Sequence, residues 1–120
     1  MKSSEAREQS ALFGWLEWYG NICPEVKLAY HIPNGGSRNV IEARNLKLQG
    51  VKAGVPDICL PVPRGGYHGM YIEMKYGKNT TTDAQNLWLE ALREQGYYTA
   101  VCYSCEAAQA EIKRYLEERK

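Results

Sequence analysis

The stretch from Met70 to Tyr103 constrains the fold of this chain most. Its first five residues, MYIEM, alternate between apolar and other side chains, which predicts a strand. A helix follows in TDAQNLWLEALREQG, where Thr82 and Gln85 fit a capping box and Gly96 ends the helix. The next segment, YYTAVCY, predicts a second strand, so two parallel strands joined by a right-handed crossover are expected. The apolar stripe predicted for the helix is Leu87, Trp88, Ala91 and Leu92.

Two helices and a strand are predicted in the first half of the chain. Apolar residues at helical spacing predict a helix from Glu5 to Tyr19, capped by Ser3 or Ser4. After Pro24, alternation over residues 26–32 predicts a strand that the turn sequence PNGG ends. A second helix is predicted from Ser37, as its cap, to Gly50. The apolar positions of that helix are Val40, Ala43 and Leu46, and its other faces are basic.

Alternation in Asp57–Val62 predicts another strand, which the sequence PRGGYHG joins to the strand at Met70. Pro61 predicts an edge position or an irregular end for that strand. Ser104 is predicted to cap a last helix, with Ala108, Ile112, Tyr115 and Leu116 facing inward. The order is helix, strand, helix, strand, strand, helix, strand, helix. The predicted fold class is α/β, with a mixed sheet between helices on both faces.

Length and composition limit what this chain can be. At 120 residues and 44% hydrophobic, it is long enough for one domain, residues 1–120, with a single core. The net charge of +1 does not by itself indicate a nucleic-acid binder, so DNA contacts would need a local basic face. No apolar run approaches the roughly 20 residues of a membrane span, and the N-terminus lacks a signal sequence. With four irregularly spaced cysteines, a cytoplasmic protein with reduced thiols is expected.

The strand YIEMKYGK places Glu73 and Lys75 on one face, while Met70, Ile72 and Met74 make the other. One interpretation is a solvated face with a weak ion pair. The other depends on GVPD, because a hairpin of this length can bring the carboxylate of its aspartate, Asp57, beside that of Glu73. Two close carboxylates repel and are tolerated where a divalent cation takes oxygen from both. Mg²⁺ suits such a site in phosphodiester chemistry, with the lysine beside the attacking water.

A "PD" followed by "E-x-K" on the next strand resembles the PD-(D/E)XK nuclease superfamily. The motifs IPNGG and LKLQGVKAGVPDICLPVPRGGYHGMYIEMK, the glutamine three residues before Trp88 and GY at Gly96 look like the VRR-NUC domain in its short stand-alone form from phage and bacteria. The resemblance runs from about Glu5 to Leu116. It implies a restriction-endonuclease-like fold and an endonuclease that uses Mg²⁺ or Mn²⁺.

The resemblance also implies roles for single residues. Asp57 and Glu73 match the metal carboxylates of the family, the backbone carbonyl of Met74 matches a further ligand, and Lys75 matches the catalytic lysine. Gln85 matches a catalytic-site glutamine, in addition to its predicted place in a capping box.

A further metal-site carboxylate is expected from the N-terminal helix. The family pattern of a glutamate followed four residues later by a glutamine fits Glu5 with Gln9, and Glu8 is the competing choice. Both alternatives stay open from the sequence.

Substrate binding is expected from a local excess of basic residues. Between residues 38 and 52, Glu42 alone opposes four cations, and two more flank the presumed metal site. The predicted DNA-binding residues are Arg38, Arg44, Lys47, Lys52, Arg64 and Lys78. The resemblance implies a homodimer that acts on branched DNA, with four-way (Holliday) junctions favoured, in a bacterial or phage-infected cell. The alternatives are a flap or single-strand nuclease of DNA repair and a DNA-binding module without catalysis.

Other motifs offer rival chemistry. The sequence CYSC, with Cys102 and Cys105 where a strand meets a helix, is a possible thiol redox pair, but the chain ends too soon for the usual thioredoxin-like strands. A zinc site lacks a second close pair of ligands. His31 and His68 are candidate general bases, for which structural or surface roles are simpler. Of the tryptophans, Trp18 is the one expected at a subunit interface.

Overall fold

A mixed sheet of four strands organises the part of the chain that the computed structural model describes. The structure describes the backbone of residues 2–33 and 39–118 and the side chains of residues 6–33 and 39–117. Within those ranges the elements are α1 (Lys2–Tyr19), a 3₁₀ helix (Pro24–Leu28), β1 (Tyr30–His31), α2 (Val40–Leu48), β2 (Ile58–Leu60), β3 (Met70–Met74), α3 (Asp83–Glu94), β4 (Tyr98–Cys102) and α4 (Cys105–Glu118). Apart from the 3₁₀ helix, this is the predicted order.

The strands lie in the order β1-β2-β3-β4. β1 pairs with β2 and β2 with β3 in antiparallel fashion, while β3 and β4 are parallel and joined through α3. The β2–β3 register pairs Ile58 with Ile72 and Leu60 with Met70. The predicted combination of a hairpin and a parallel crossover is therefore confirmed. Pro61 lies just past the end of β2, so its predicted irregular end is also confirmed.

The main core lies between one sheet face and the helices α1 and α4. Leu12 and Leu16 of α1 and Ile112 and Tyr115 of α4 pack there with the even-numbered side chains of β2 and β3. α3 lies on the other face, where Arg93 donates from Nη1 to Oγ1 of Thr99 at 2.9 Å. The prediction that helices cover both faces is confirmed. Among the described helices, none has the length and apolar character that crossing a membrane requires.

The N-terminus of α4 is capped from two directions. Oγ of Ser104 accepts from the backbone N–H of Ala107 at 3.0 Å, as the sequence predicts. Oε1 of Glu8, on α1, accepts from the backbone N–H of Cys105 at 2.8 Å. These bonds satisfy donors that a helix end leaves without intrahelical partners, and a carboxylate there also faces the positive end of the helix dipole. Glu8 thereby joins the first helix to the last.

The strand predicted over residues 26–32 is wrong for most of its length. Pro24 begins the 3₁₀ helix, for which its fixed φ is suited, and the strand is reduced to Tyr30–His31. Val26 is buried while Leu28 is exposed, so their spacing does not mark one face of a strand.

The second helix also differs from its prediction. Its N-cap is Asn39, whose side chain accepts from the N–H of Glu42 at 2.7 Å, and the predicted cap Ser37 lies outside the described residues. No residue of α2 is buried, and Val40, predicted as an apolar contact, is largely exposed. The predicted caps Ser3 and Ser4, and the turn residues Asn34 to Gly36, also fall outside the described side chains.

The apolar stripe predicted for α3 is rotated. Leu89 is the buried residue of the helix, whereas Leu87 is largely exposed and Trp88 is half-buried. A helix that packs on a sheet from one side buries a narrow row, here residues 85, 88, 89 and 92. Both Trp88 and Leu92 lie in that row, so the prediction was correct for half of the stripe.

Gly54 lies where the chain before β2 meets the start of α3. Its φ is +91°, and a Cβ added there would lie 2.9 Å from the backbone carbon and oxygen of Ala84. Gly50 has a similar φ of +102° but nothing within 4 Å of the added Cβ. Gly54 therefore meets two demands, left-handed backbone and close approach, where Gly50 meets one.

Replacing Gly54 with alanine should lower the free energy of unfolding more than Gly50→Ala does. Each substitution incurs about 1–2 kcal/mol of backbone strain, and Gly54→Ala adds about 1–3 kcal/mol because the new methyl group presses on the α3 backbone. Urea unfolding of both variants measures the difference. Equal losses would show that the approach to Ala84 is not tight.

Candidate metal centre and nucleic-acid interface

Asp57 lies at the end of the β2–β3 pair, immediately before β2. Continuing the register of Ile58 with Ile72 by one residue places Asp57 opposite Glu73. Oδ2 of Asp57 accepts a hydrogen bond from the backbone N–H of Met74 at 2.8 Å. The carboxylate is therefore held against the residue that separates Glu73 from Lys75, as the sequence predicts for a shared site.

Glu73 and Lys75 are much less exposed than a solvated ion pair. The side chain of Glu73 is 3% exposed and that of Lys75 is 11% exposed, and Oε2 lies 4.0 Å from Nζ. The backbone N–H of Lys75 donates to the carbonyl of Cys102 at 2.8 Å, which fixes the end of β3 against β4. Removing two charges from water has a desolvation cost of several kcal/mol per ion, so stability alone is a poor reason for this pair. The solvated-face interpretation is wrong.

The backbone of Met74 faces the same side as Asp57. In an extended strand, the N–H and C=O of one residue point toward the same neighbouring strand. Because the N–H of Met74 points to the Asp57 carboxylate, its carbonyl is directed to that side as well. The predicted third ligand thus belongs to the same edge of the sheet.

The donor set suits a hard divalent cation. Carboxylates of Asp57 and Glu73 and a backbone carbonyl are oxygen ligands of the kind that Mg²⁺ and Mn²⁺ prefer. In the described side chains, no group of three or more His, Cys, Asp and Glu residues forms a metal site. Two carboxylates are enough for Mg²⁺, which retains waters and takes oxygens from phosphate. The residues present fit the ion.

The contribution of the N-terminal helix is partly resolved. The side chain of Glu5 lies outside the described residues. The competing choice, Glu8, is engaged elsewhere, because its Oε1 caps α4. Gln9 contacts the site through His31, because its Nε2 lies 3.0 Å from Nδ1 of His31, which in turn lies 3.0 Å from the backbone carbonyl of Asp57.

Sequence reasoning missed the position of His31. Its Nδ1 is 3.0 Å from the backbone carbonyl of Asp57, and the N–H of Ile32 donates to the same carbonyl at 2.6 Å. β1 therefore holds the backbone of Asp57 from the side opposite β3. The pairing of Tyr30 with Cys59 sets this contact, and a two-residue strand has too short a pattern to reveal that register in advance.

Gln85 makes the capping box that the sequence predicts. Its Oε1 accepts from the N–H of Thr82 at 2.9 Å, and its own N–H donates to Oγ1 of Thr82 at 3.2 Å. Its catalytic role stays a prediction. The approach of Gly54 to Ala84 places the start of α3 against the chain that leads to Asp57, which is compatible with that role.

The sheet face that carries Glu73 also carries neutral phenols. Burial raises the pKa of Tyr71 to about 12, and its hydrogen bond with the Cys59 thiol adds to the shift. A hydrogen bond with Cys59 likewise raises the pKa of Tyr30. Both hydroxyls therefore remain protonated at neutral pH and add no charge beside Glu73 and Lys75.

The basic residues divide into two groups. Arg44, Lys47 and Lys52 are exposed on α2 and the loop after it, and Lys78 is exposed in the turn after β3. Arg64 lies in the hairpin loop at the opposite end of the β2–β3 pair, where Nη2 is 2.7 Å from Oε2 of Glu25. The prediction that Arg64 flanks the metal site is wrong, because an antiparallel hairpin places its loop and its open end at opposite edges. Arg38 lies outside the described residues.

The thiols do not support redox or zinc chemistry. All four cysteines are free, and Cys102 and Cys105 are buried. Burial raises the pKa of Cys102 to about 12 and also raises that of Cys105. A reactive cysteine needs a lowered pKa and access to solvent, so these are structural thiols. His68 has a structural place as well, packed against Gly96 and Tyr97.

Comparisons with known proteins bear on this site. The model of one protein family, described as the VRR-NUC domain, matches residues 3–106. A solved structure described as "VRR_NUC domain protein" is similar with a TM-score of 0.77 and 29% sequence identity, over 94% of this chain and 88% of that chain. A search of curated proteins found no match. The family range contains every residue of the candidate site.

Proposed function

The chain belongs to the VRR-NUC domain family, a family of nuclease type, and from that membership we propose that it is a divalent-metal-dependent DNA endonuclease. The proposed reaction is hydrolysis of phosphodiester bonds in branched DNA, with four-way junctions favoured. The observation that carries the proposal is the bond between the Asp57 carboxylate and the N–H of Met74, since it brings both carboxylates and Lys75 to one sheet edge. We assign the protein to the cytoplasm, a compartment in which cysteines remain reduced.

The chain contributes three functions to the reaction. Asp57, Glu73 and the Met74 carbonyl would hold Mg²⁺ or Mn²⁺, which when bound supplies Lewis-acid polarisation of the phosphate. Lys75 holds a positive charge beside the site, where Nζ orients the attacking water and stabilises the negative charge that develops on the phosphate. Exposed cations on α2 and Lys78 contact neighbouring phosphates and orient the duplex.

Replacing Asp57 with asparagine should reduce cleavage of a labelled four-way junction in Mg²⁺ or Mn²⁺ by about 100-fold or more, because a charged ligand is lost. Asparagine keeps an oxygen that can accept from the Met74 N–H, so the fold should be retained. Asp83→Asn, an exposed substitution in α3, is the matched control. Gel analysis of linear, flap and four-way DNA measures the rates, with EDTA as the metal-free reference. Parent-like cleavage by the Asp57 variant would contradict the site, and no cleavage by the parent would contradict the function.

A Gln85→Glu substitution separates the capping role from the catalytic role. Glutamate can also complete a capping box, so unfolding free energy should change by less than about 0.5 kcal/mol. The side-chain amide donor is lost, so cleavage should fall about tenfold or more if Gln85 acts on the substrate. Thr82→Ala is the converse control, since it removes the cap and leaves the amide. Unchanged cleavage by Gln85→Glu would limit the residue to capping.

A homodimer follows from the proposed substrate. One metal centre cuts one strand, and two centres related by a two-fold axis match a symmetric junction. Trp18 and Ile22, both largely exposed near the end of α1, are the apolar residues that we assign to the contact between subunits.

Sedimentation should accordingly give about twice the chain mass of 13.6 kDa. Trp18→Gln should shift the protein toward monomer because an aromatic contact is lost, whereas Leu87→Gln, at an exposed position on α3, should not. If the unaltered protein is a monomer, the proposed dimer is refuted, while the proposed metal site is unaffected.

A further inference from the structure

Helix α2 is set apart from the other described helices by its exposure. None of its nine residues is buried, whereas α1, α3 and α4 each bury part of their surface. A short helix normally depends on packing of an apolar face, since propensity alone is marginal at this length. α2 does carry large apolar side chains, and they point to solvent.

The outward face of α2 is an apolar ridge. Ala43 and Leu46 are the partly covered residues and define its inner side. At 100° per residue, the opposite side is occupied by Ile41 and Leu48, which are 65% and 80% exposed. Seven residues apart, these two side chains stand about 10 Å from each other along the axis. We call this pair the α2 ridge.

Charge is distributed unevenly around the α2 ridge. Arg44 lies between its two members, and Lys47 lies on the same flank. Glu42 lies on the other flank, near the N-terminus of the helix, where a carboxylate is favourable. The partner that covers the ridge therefore combines an apolar surface with negative charge at short range.

A second copy of this chain fits that requirement poorly. A standard interface covers about 800 Å² on each partner, with a contiguous apolar centre. The ridge is instead bordered by Arg44 and Lys47, and a contact between two copies of α2 would bring these like charges together.

DNA fits it well. Proteins insert Leu, Ile and similar side chains between base pairs while neighbouring cations hold the phosphates, and the opened step is least costly where stacking is already interrupted. Leu48 precedes Asp57 by nine residues, so the ridge lies at most about 30 Å from the candidate metal site, a distance that one DNA duplex can span.

We propose that Ile41 and Leu48 form a wedge that enters DNA at an interrupted base stack and so selects branched over continuous duplex. Arg44 and Lys47 hold the phosphates on either side of the opened step. The inference rests on the proposed function in taking DNA as the occupant. It adds the means by which the chain recognises a branch, which is shape rather than base sequence.

The test uses Ile41→Gln combined with Leu48→Gln in the full chain. The matched control is Leu28→Gln with Leu87→Gln, two aliphatic residues outside α2 that are 55% and 71% exposed. Binding is measured by anisotropy in Ca²⁺ with a four-way junction and a linear duplex of the same sequence. The junction carries 2-aminopurine at its branch point, because the fluorescence of this base rises when stacking is lost.

The ridge variant should bind the junction about tenfold more weakly than the parent does. Its affinity for the linear duplex should stay within about twofold of the parent's. Its binding to the junction should not raise the 2-aminopurine fluorescence. The control variant should retain both the junction preference and the signal. Arg44→Gln with Lys47→Gln should instead weaken both DNAs alike and reduce the salt dependence of binding.

Three outcomes would overturn the wedge. If the ridge variant keeps the junction preference and the fluorescence change, the wedge is refuted and the nuclease proposal is unaffected. A ridge variant that turns from dimer to monomer in sedimentation would identify the ridge as a contact between copies. Should the parent bind neither DNA, the proposed function itself would fail, and the wedge with it.

Discussion

The bond between the Asp57 carboxylate and the Met74 N–H is the contact on which the site depends. The pairing of β2 with β3 ends at Ile58 and Ile72. Without the Asp57 side chain, the backbone N–H of Met74, the next one that points toward β2, would lack a partner on that strand. An aspartate side chain takes the place of that partner, since a buried backbone donor must be satisfied. The same bond that ends the sheet therefore brings a second carboxylate to Glu73, and the site is a property of the strand end.

Burial of Glu73 and Lys75 has an energetic cost that the surrounding structure offsets. The even-numbered residues of β3 are in the main core, so the strand cannot rotate to bring its charges into water. Lys75 is further tied by its backbone to Cys102 of β4. The fold thus holds a charged pair in a poorly solvated position, where the proposed cation would pair with the carboxylate and a substrate phosphate with the lysine.

Short sequence patterns were enough to predict part of the fold and part of the candidate site. The Thr82–Gln85 capping box depends on four consecutive residues, and two-residue alternation fixed the faces of β3. Contacts that depend on register or docking were not predictable. Pro24 turned an alternating segment into a 3₁₀ helix, and His31 reached Asp57 through a strand of two residues. The exposure of Ile41 and Leu48 could not be predicted either, because it depends on how the rest of the described chain packs around α2.

The hairpin loop between β2 and β3 lies at the edge of the sheet away from the carboxylates, and the Arg64–Glu25 ion pair fastens it to the 3₁₀ helix. The spacing of the proposed metal ligands is set by strand register and does not depend on the length of this loop. Insertions there have a small entropic cost. A chain of this design can lengthen and acquire new surface at that edge while its chemistry stays in place, so divergence among relatives is expected to concentrate in the loop.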